Sequence, residues 1–235
     1  MRNPIVVTTG QLYARLAGIT ILLYIVVGFT SVILYSRATN AEGTEAILAQ
    51  IAAHISGMRM TVILELLESF CAVVLGVALY AITRTVNQEL ALLGMVCRVS
   101  EGVLGVLGIR NTIGLLWLSQ AGKGPEGPIQ ATAGALGDFL LMPGQGGMIG
   151  SPFFAAGIMI FSFLLLRGRI VPAPLAGFGL FSSVLIVVML PLQLAGFIGG
   201  PLTWYAWMPM LVFQILLGLW LLVKGARLPS QTQEP

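Results

Sequence analysis

The stretch that decides the fold reads MRMTVILELLESFCAVVLGVALYAIT and runs from Met58 to Thr83. It is longer than the roughly 20 predominantly apolar residues that an α-helix needs to cross a bilayer. Beyond Arg59 near its start, its charged residues are Glu65 and Glu68. The stretch therefore predicts a transmembrane helix that carries two carboxylates through apolar surroundings.

The composition of the whole chain agrees with this interpretation. Of its 235 residues, 57% are hydrophobic and 9% are charged, whereas a soluble domain has about 25% charged residues. So few charged groups exclude a soluble globular enzyme, a disordered chain and a disulfide scaffold. The net charge of +3 comes from cations near helix ends, without interleaved aromatic residues, so we expect a lipid bilayer and no nucleic acid as partner.

Apolar runs along the chain predict an all-α integral membrane protein with six transmembrane helices in a single polytopic domain, residues 1–235. A polar segment after the first span, residues 36–57, has apolar residues at helical spacing and predicts a short interfacial helix. Residues 129–142 are compatible with a helix that prolongs the fourth span, with a break at Pro143–Gly147. The predicted spans cover about residues 12–35, 58–83, 90–119, 148–166, 172–198 and 202–223, and the polar tail covers 224–235.

The distribution of basic residues predicts the orientation. With both termini cytoplasmic, seven cations lie on the inner face and three on the outer face, as the positive-inside rule requires. The predicted location is the bacterial inner membrane, with multiple spans. The inner cations are Arg2, Arg15, Arg84, Arg167, Arg169, Lys224 and Arg227, and the outer ones are Arg37, Arg59 and Lys123.

Charged residues inside the second and third spans are the strongest candidates for a functional site. Glu65 and Glu68 are three residues apart and share a helix face, as do Arg98 and Glu101. Together with Arg110, these groups would cost on the order of 15 kcal/mol if each were unpaired at about 3 kcal/mol. They must therefore find partners or water, and Glu101 is the expected partner of Arg98.

The short turn near residues 85–88 makes the second and third spans antiparallel neighbours. This register places Glu65 and Glu68 near the level of Arg110, with Asn111 beside it. The sequence thus predicts two sites. One is formed by Glu65, Glu68, Arg110 and Asn111, and the other by the pair of Arg98 and Glu101. Three carboxylates against two guanidiniums leave one negative charge, which a proton or an outside cation would balance. The cluster could bind a ligand, or it could be an ion-pair network that holds the helices together.

Motifs for catalysis and for metal binding are absent from the sequence. His54 is the single histidine, so a bis-histidine haem and a histidine-rich metal site are excluded within one chain. The sequence contains no Walker loop, Gly-x-Ser-x-Gly, His-Glu-x-x-His or Cys-x-x-Cys motif. We therefore predict no catalytic residue and no metal ligand, and the sequence does not identify a cofactor.

The run Cys97-Arg98-Val99-Ser100-Glu101, with a later Asn111, resembles a large bacterial family of uncharacterised multi-pass membrane proteins catalogued as a domain of unknown function. The segment Arg167–Pro172, with residues 175 and 179, resembles the loop between the family's fourth and fifth spans. The similarity extends from about Tyr13 to Val223. Where the family usually continues a smooth helix, this chain has the break at Pro143–Gly147. The resemblance implies a six-span fold and no particular activity.

Three functions fit these observations. The leading hypothesis is a membrane protein that binds or transports a small amphipathic or lipid-like ligand, with Arg110 pairing an anionic group. The second is a structural or accessory subunit of a larger membrane complex, which could contain pigments or cofactors, with partner subunits around it. The third is an intramembrane enzyme that acts on lipids, with Glu101 or Glu68 as general base.

Overall fold

The structure is a computed structural model that describes residues 4–121, 127–141, 149–198 and 201–227. Within these ranges the chain is helical and contains no strand, so the predicted all-α class is confirmed. The predicted break at Pro143–Gly147 and most of the polar tail lie outside the described residues. The helices are α1 Pro4–Thr39, α2 Thr44–Ala53, α3 Ile55–Thr83, α4 Gln88–Ala121, α5 Gly127–Leu141, α6 Ser151–Arg167, α7 Ala173–Leu194 and α8 Pro201–Val223.

Within the described ranges, five helices are long and apolar enough to cross a membrane. They expose large apolar side chains such as Phe70, Trp117 and Phe181, which suit contact with lipid rather than water. The predicted fourth span corresponds to α6, whose 17 residues rise about 25 Å, somewhat less than the hydrocarbon thickness of about 30 Å. The five segments are Thr9–Thr39, Ile55–Thr83, Gln88–Ala121, Ala173–Leu194 and Tyr205–Val223.

Local capping explains where two of these helices begin and end. The side chain of Asn87 accepts a hydrogen bond from the backbone N–H of Leu90 at 2.8 Å, which starts α4. α7 ends earlier than the predicted residue 198 because Gly196 takes a left-handed φ of 79°. The N–H of Phe197 then donates to the carbonyl of Leu192 at 2.9 Å, which closes the last turn of α7.

The chain divides into two units. The first contains Met1–Ile25, Cys71–Gly102 and Ser151–Pro235, and the second contains Val26–Phe70 and Val103–Gly150. The helices α1, α3 and α4 each contribute one part to each unit.

In the first unit, the beginning of α1 lies beside the end of α8. The side-chain amide of Gln11 donates to the carbonyl of Ala226 at 2.7 Å. The turn between α3 and α4 likewise lies against the turn between α6 and α7. A Cβ built on Gly168 would be 2.5 Å from Cγ2 of Val86. Within this unit, the start of α1 is thus a neighbour of the end of α8, and the α3–α4 turn is a neighbour of the α6–α7 turn.

In the second unit, α2 and α5 pack around a small apolar core. Ile51, Met58 and Leu115 are buried there together, and the hydroxyl of Thr44 on α2 donates to the carboxylate of Asp138 on α5. A helix is thus present within the segment where the sequence predicts one. Its position in the membrane interface stays a prediction.

Close packing of α1 against α8 gives a test of the fold. A Cβ at Gly18 would lie 2.6 Å from the backbone nitrogen of Leu222 and 2.7 Å from the carbonyl oxygen of Gly218. Backbone atoms cannot yield as side chains do, so we expect Gly18→Ala to cost about 1–3 kcal/mol and to lower the midpoint of thermal unfolding in detergent.

The matched control is Gly177→Ala in α7, where a Cβ meets nothing within 4 Å. This change should leave the midpoint unchanged or raise it, because alanine favours a helix over glycine by up to about 1 kcal/mol. Equal midpoints for the two variants would contradict the close approach of α1 and α8.

Candidate functional site

Arg98 is the most unusual side chain in the described structure. It lies about one third of the way along α4 and is 0% exposed. A guanidinium is always charged and carries five N–H donors, and removing it from water is costly unless each is compensated. The chain must therefore supply a particular environment for it.

Two glycines make room for the stem of Arg98. A Cβ on Gly76 of α3 would lie 2.9 Å from Cβ of Arg98, and a Cβ on Gly157 of α6 would lie 3.2 Å from its Cγ and Cδ. Any larger residue at either position would have to displace the arginine. Arg98 thus passes between α3 and α6 at a place where both helices lack a side chain.

Glu101 provides the polar contact of this guanidinium, and Tyr24 in turn binds Glu101. Glu101 lies one turn further along α4, and its Oε2 forms an ion pair with Nη1 of Arg98, as the spacing of three residues predicts. Its other oxygen accepts a hydrogen bond from the Tyr24 hydroxyl of α1 at 2.8 Å. One oxygen of this buried carboxylate is therefore ion-paired, and the other is hydrogen-bonded.

Aromatic rings surround the guanidinium. Its Cζ lies 5.4 Å from the ring centre of Tyr24 and 5.0 Å from that of Phe154 in α6, distances at which a cation is attracted to a ring. These two rings are nearly parallel, 7° apart in orientation, with centres separated by 6.5 Å. Trp207 of α8 extends the group, at 5.7 Å from Phe154. We name Arg98, Glu101, Tyr24 and Phe154 the Arg98 cluster.

The Arg98 cluster leaves hydrogen-bond donors unused. Nε and Nη2 of Arg98 are buried and have no hydrogen-bond partner among the residues that the structure describes. Each unsatisfied buried donor costs about 1–3 kcal/mol, and more when it is charged. An acceptor at the edge of this guanidinium would remove that cost.

The two glutamates of α3 lie in the second unit. Oε1 of Glu65 accepts a hydrogen bond from the Thr112 hydroxyl at 3.0 Å, and Ser69 lies against Gly105, whose Cβ would be 2.8 Å from the serine hydroxyl oxygen. These contacts have the antiparallel register that the short turn predicts. The carboxylate of Glu68 lies against α1, with Oε1 3.0 Å from a Cβ built on Gly28.

The structure does not bring Arg110 to these glutamates. Its side chain is exposed, and it forms no ion pair with Glu65 or Glu68, both of which are described. Thr112 occupies the facing position instead, because residues two apart on a helix point in roughly opposite directions at 3.6 residues per turn. Asn111 is half-buried. The level along α4 was predicted correctly, but the face was not.

Sequence reasoning missed most of the residues around Arg98. Tyr24 and Phe154 come from α1 and α6, far from α4 in sequence, and no spacing rule connects them. Gly76 and Gly157 carry no chemical group that would mark them. The one available signal was that a buried arginine needs a hydrogen-bonding carboxylate and polarizable neighbours.

A metal centre has no support in the described part of the chain. No group of three or more histidine, cysteine, aspartate or glutamate side chains there could hold a metal ion. Neither Cys71 nor Cys97 forms a disulfide.

Five helices suited to crossing a bilayer and a charged cluster within them define a multi-pass membrane protein. Residues 16–225 match the family described as Domain of unknown function (DUF4386), so the chain belongs to that family. The resemblance found in the sequence is thereby confirmed. No curated protein and no solved structure matches the chain.

The hydrogen bond between Tyr24 and Glu101 can be tested directly. Tyr24→Phe keeps the ring beside Arg98 but removes the hydroxyl, which leaves one oxygen of a buried carboxylate without its donor. We expect a loss of about 1–3 kcal/mol, measured as a lower midpoint of thermal unfolding in detergent.

Tyr205→Phe removes the same hydroxyl from a side chain that is 72% exposed, and this control should leave the midpoint unchanged. A Tyr24→Phe variant as stable as the wild type would mean that the hydroxyl does not stabilise Glu101.

Proposed function

We propose that this protein binds or transports a small amphipathic or lipid-like ligand at the Arg98 cluster. The observation that carries the proposal is the fully buried guanidinium whose Nε and Nη2 have no acceptor among the described residues. A charged residue inside a membrane helix most often marks a ligand or ion pathway. A part in ligand binding for Glu65, Glu68 and Asn111 stays a prediction.

A purely structural ion pair explains less of this arrangement. Glu101 balances the charge of Arg98, so pairing alone would account for one edge of the guanidinium. The glycines at 76 and 157 further leave room for the arginine stem between α3 and α6. Buried ion pairs are seldom more stabilising than apolar residues of similar volume. Packing alone therefore gives no reason for an arginine and a glutamate at these positions.

Contacts in the first unit support six spans. The start of α1 lies beside the end of α8, so the two ends lie on the same side of the membrane. The chain must therefore cross the membrane an even number of times. Five helices meet the length requirement, so we infer that α6 is the sixth span. The N–H of Arg227 also donates to the carbonyl of Ile170 at 2.9 Å, which adds the α6–α7 turn to the same face.

That face carries an excess of basic residues, which supports a cytoplasmic location for both termini. We further propose the bacterial inner membrane as the location, and the membrane interface for α2. The exposed cations of this face are Arg84, Arg167, Arg169, Lys224 and Arg227.

Native mass spectrometry of the protein, extracted gently from its own membrane, tests ligand binding. We expect the wild type to carry a discrete small mass. Arg98→Lys keeps the charge but loses the planar fork of donors, and it should release this mass. Arg110→Gln should retain it, because Arg110 is exposed and is not one of the residues that form the Arg98 cluster.

Two results would contradict this assignment. One is a wild type without any added mass, and the other is loss of the mass in Arg110→Gln but not in Arg98→Lys. Release together with other polypeptides in a fixed ratio would instead identify an accessory subunit of a membrane complex.

The orientation has its own test. A reporter that is active only in the cytoplasm, fused after residue 235, should be active, and the same reporter inserted between residues 121 and 127 should be inactive. Activity at both positions, or at neither, would contradict six spans with cytoplasmic termini. An inactive terminal fusion together with an active internal one would show the opposite orientation, with both termini outside the cytoplasm.

A further inference from the structure

The geometry of the Arg98 cluster restricts the chemistry of the ligand. Nη1 of Arg98 is turned to Glu101. Nε carries one N–H and Nη2 two, and none of them has an acceptor among the described residues. Because Nε and Nη2 form one edge of a planar fork, the fitting group offers oxygen lone pairs in the guanidinium plane.

The charge balance of the first unit favours an uncharged group. Arg98 and Glu101 cancel each other, and every other charged side chain that the structure describes in this unit is exposed. An anionic head group would therefore add an uncompensated negative charge to a buried site, at a high desolvation cost. A cationic head group offers no lone pairs to the guanidinium donors.

The rings of Tyr24 and Phe154 limit the approach further. Both ring centres lie within 5.4 Å of Cζ of Arg98, so aromatic carbon borders the guanidinium rather than water. A head group that reaches its free edge must be compact and without a hydration shell. Carbonyl oxygens meet this requirement, since they accept hydrogen bonds and carry no charge.

We propose that Nε and Nη2 of Arg98 bind the uncharged carbonyl oxygen of an amphipathic membrane molecule, either the ester of a lipid or the ketone of a quinone. This inference rests on the proposed function and specifies the head group that the Arg98 cluster selects. Glu101 and Tyr24 are positioning residues here, because Glu101 pairs with Nη1 and the Tyr24 hydroxyl holds Glu101 in place. Together they turn the other edge of the guanidinium toward the ligand.

Four probes that share a ten-carbon chain test the head group: methyl decanoate, a decyl-substituted benzoquinone, decanoate and decane. Each is added to the purified full-length protein in detergent, after removal of native lipid, and the midpoint of thermal unfolding is measured. We expect methyl decanoate or the quinone to raise the midpoint by about 2–4 °C or more. Decanoate and decane should raise it by less, and whichever carbonyl probe acts identifies the ester or the quinone as the source.

Three variants connect the shift to Arg98. The shift should vanish in Arg98→Lys and persist in Arg110→Gln. Since Arg98→Lys could be poorly folded, the double variant Arg98→Gln with Glu101→Gln keeps the site neutral and should also lose the shift. Size-exclusion profiles and unliganded midpoints show whether each variant is folded.

The outcomes separate the two proposals. A shift with decanoate that equals or exceeds the carbonyl shift, and that is lost in Arg98→Lys, would overturn the carbonyl assignment and leave the ligand site standing. A carbonyl shift that survives in both Arg98 variants would also overturn the assignment. If no probe acts and no mass accompanies the native protein, the proposed function itself fails.

Discussion

The burial of one guanidinium in an apolar helix bundle is the constraint on which the first unit depends. Arg98 cannot lose its charge, so the surrounding helices must provide for it. Gly76 and Gly157 leave space for its stem, and Glu101 neutralises it. The rings beside it offer their negative faces to the cation. These contributions come from α1, α3, α4 and α6. All of them serve one charged side chain, whose burial would be unfavourable without them.

Local rules predicted the parts of the molecule that depend on local sequence. Apolar runs longer than a bilayer gave the long helices, and a spacing of three residues gave the pair of Arg98 with Glu101. A short turn gave the level of Glu65 along α4. Local rules also missed the end of α7, because Gly196 stops that helix where hydropathy continues.

The face that a helix presents could not be derived in the same way. Every face of a membrane helix can be apolar, so periodicity does not distinguish the face toward lipid from the face toward protein. Arg110 was therefore expected to point inward, where Thr112 lies instead. For the same reason Tyr24 and Phe154 gave no signal, since their role arises from helix packing that links distant parts of the sequence.

Helix α1 connects the stability of the fold with the geometry of the site. Gly18 brings α1 against the backbone of α8, and six residues further along the same helix Tyr24 donates to Glu101. Because a helix is stiff over so short a distance, the close approach at Gly18 helps to fix the depth of the Tyr24 hydroxyl. A shift of α1 would weaken that hydrogen bond and allow Glu101 to turn. The orientation of Arg98, and with it the direction of its free donors, thus depends on the packing of another face of α1 against α8.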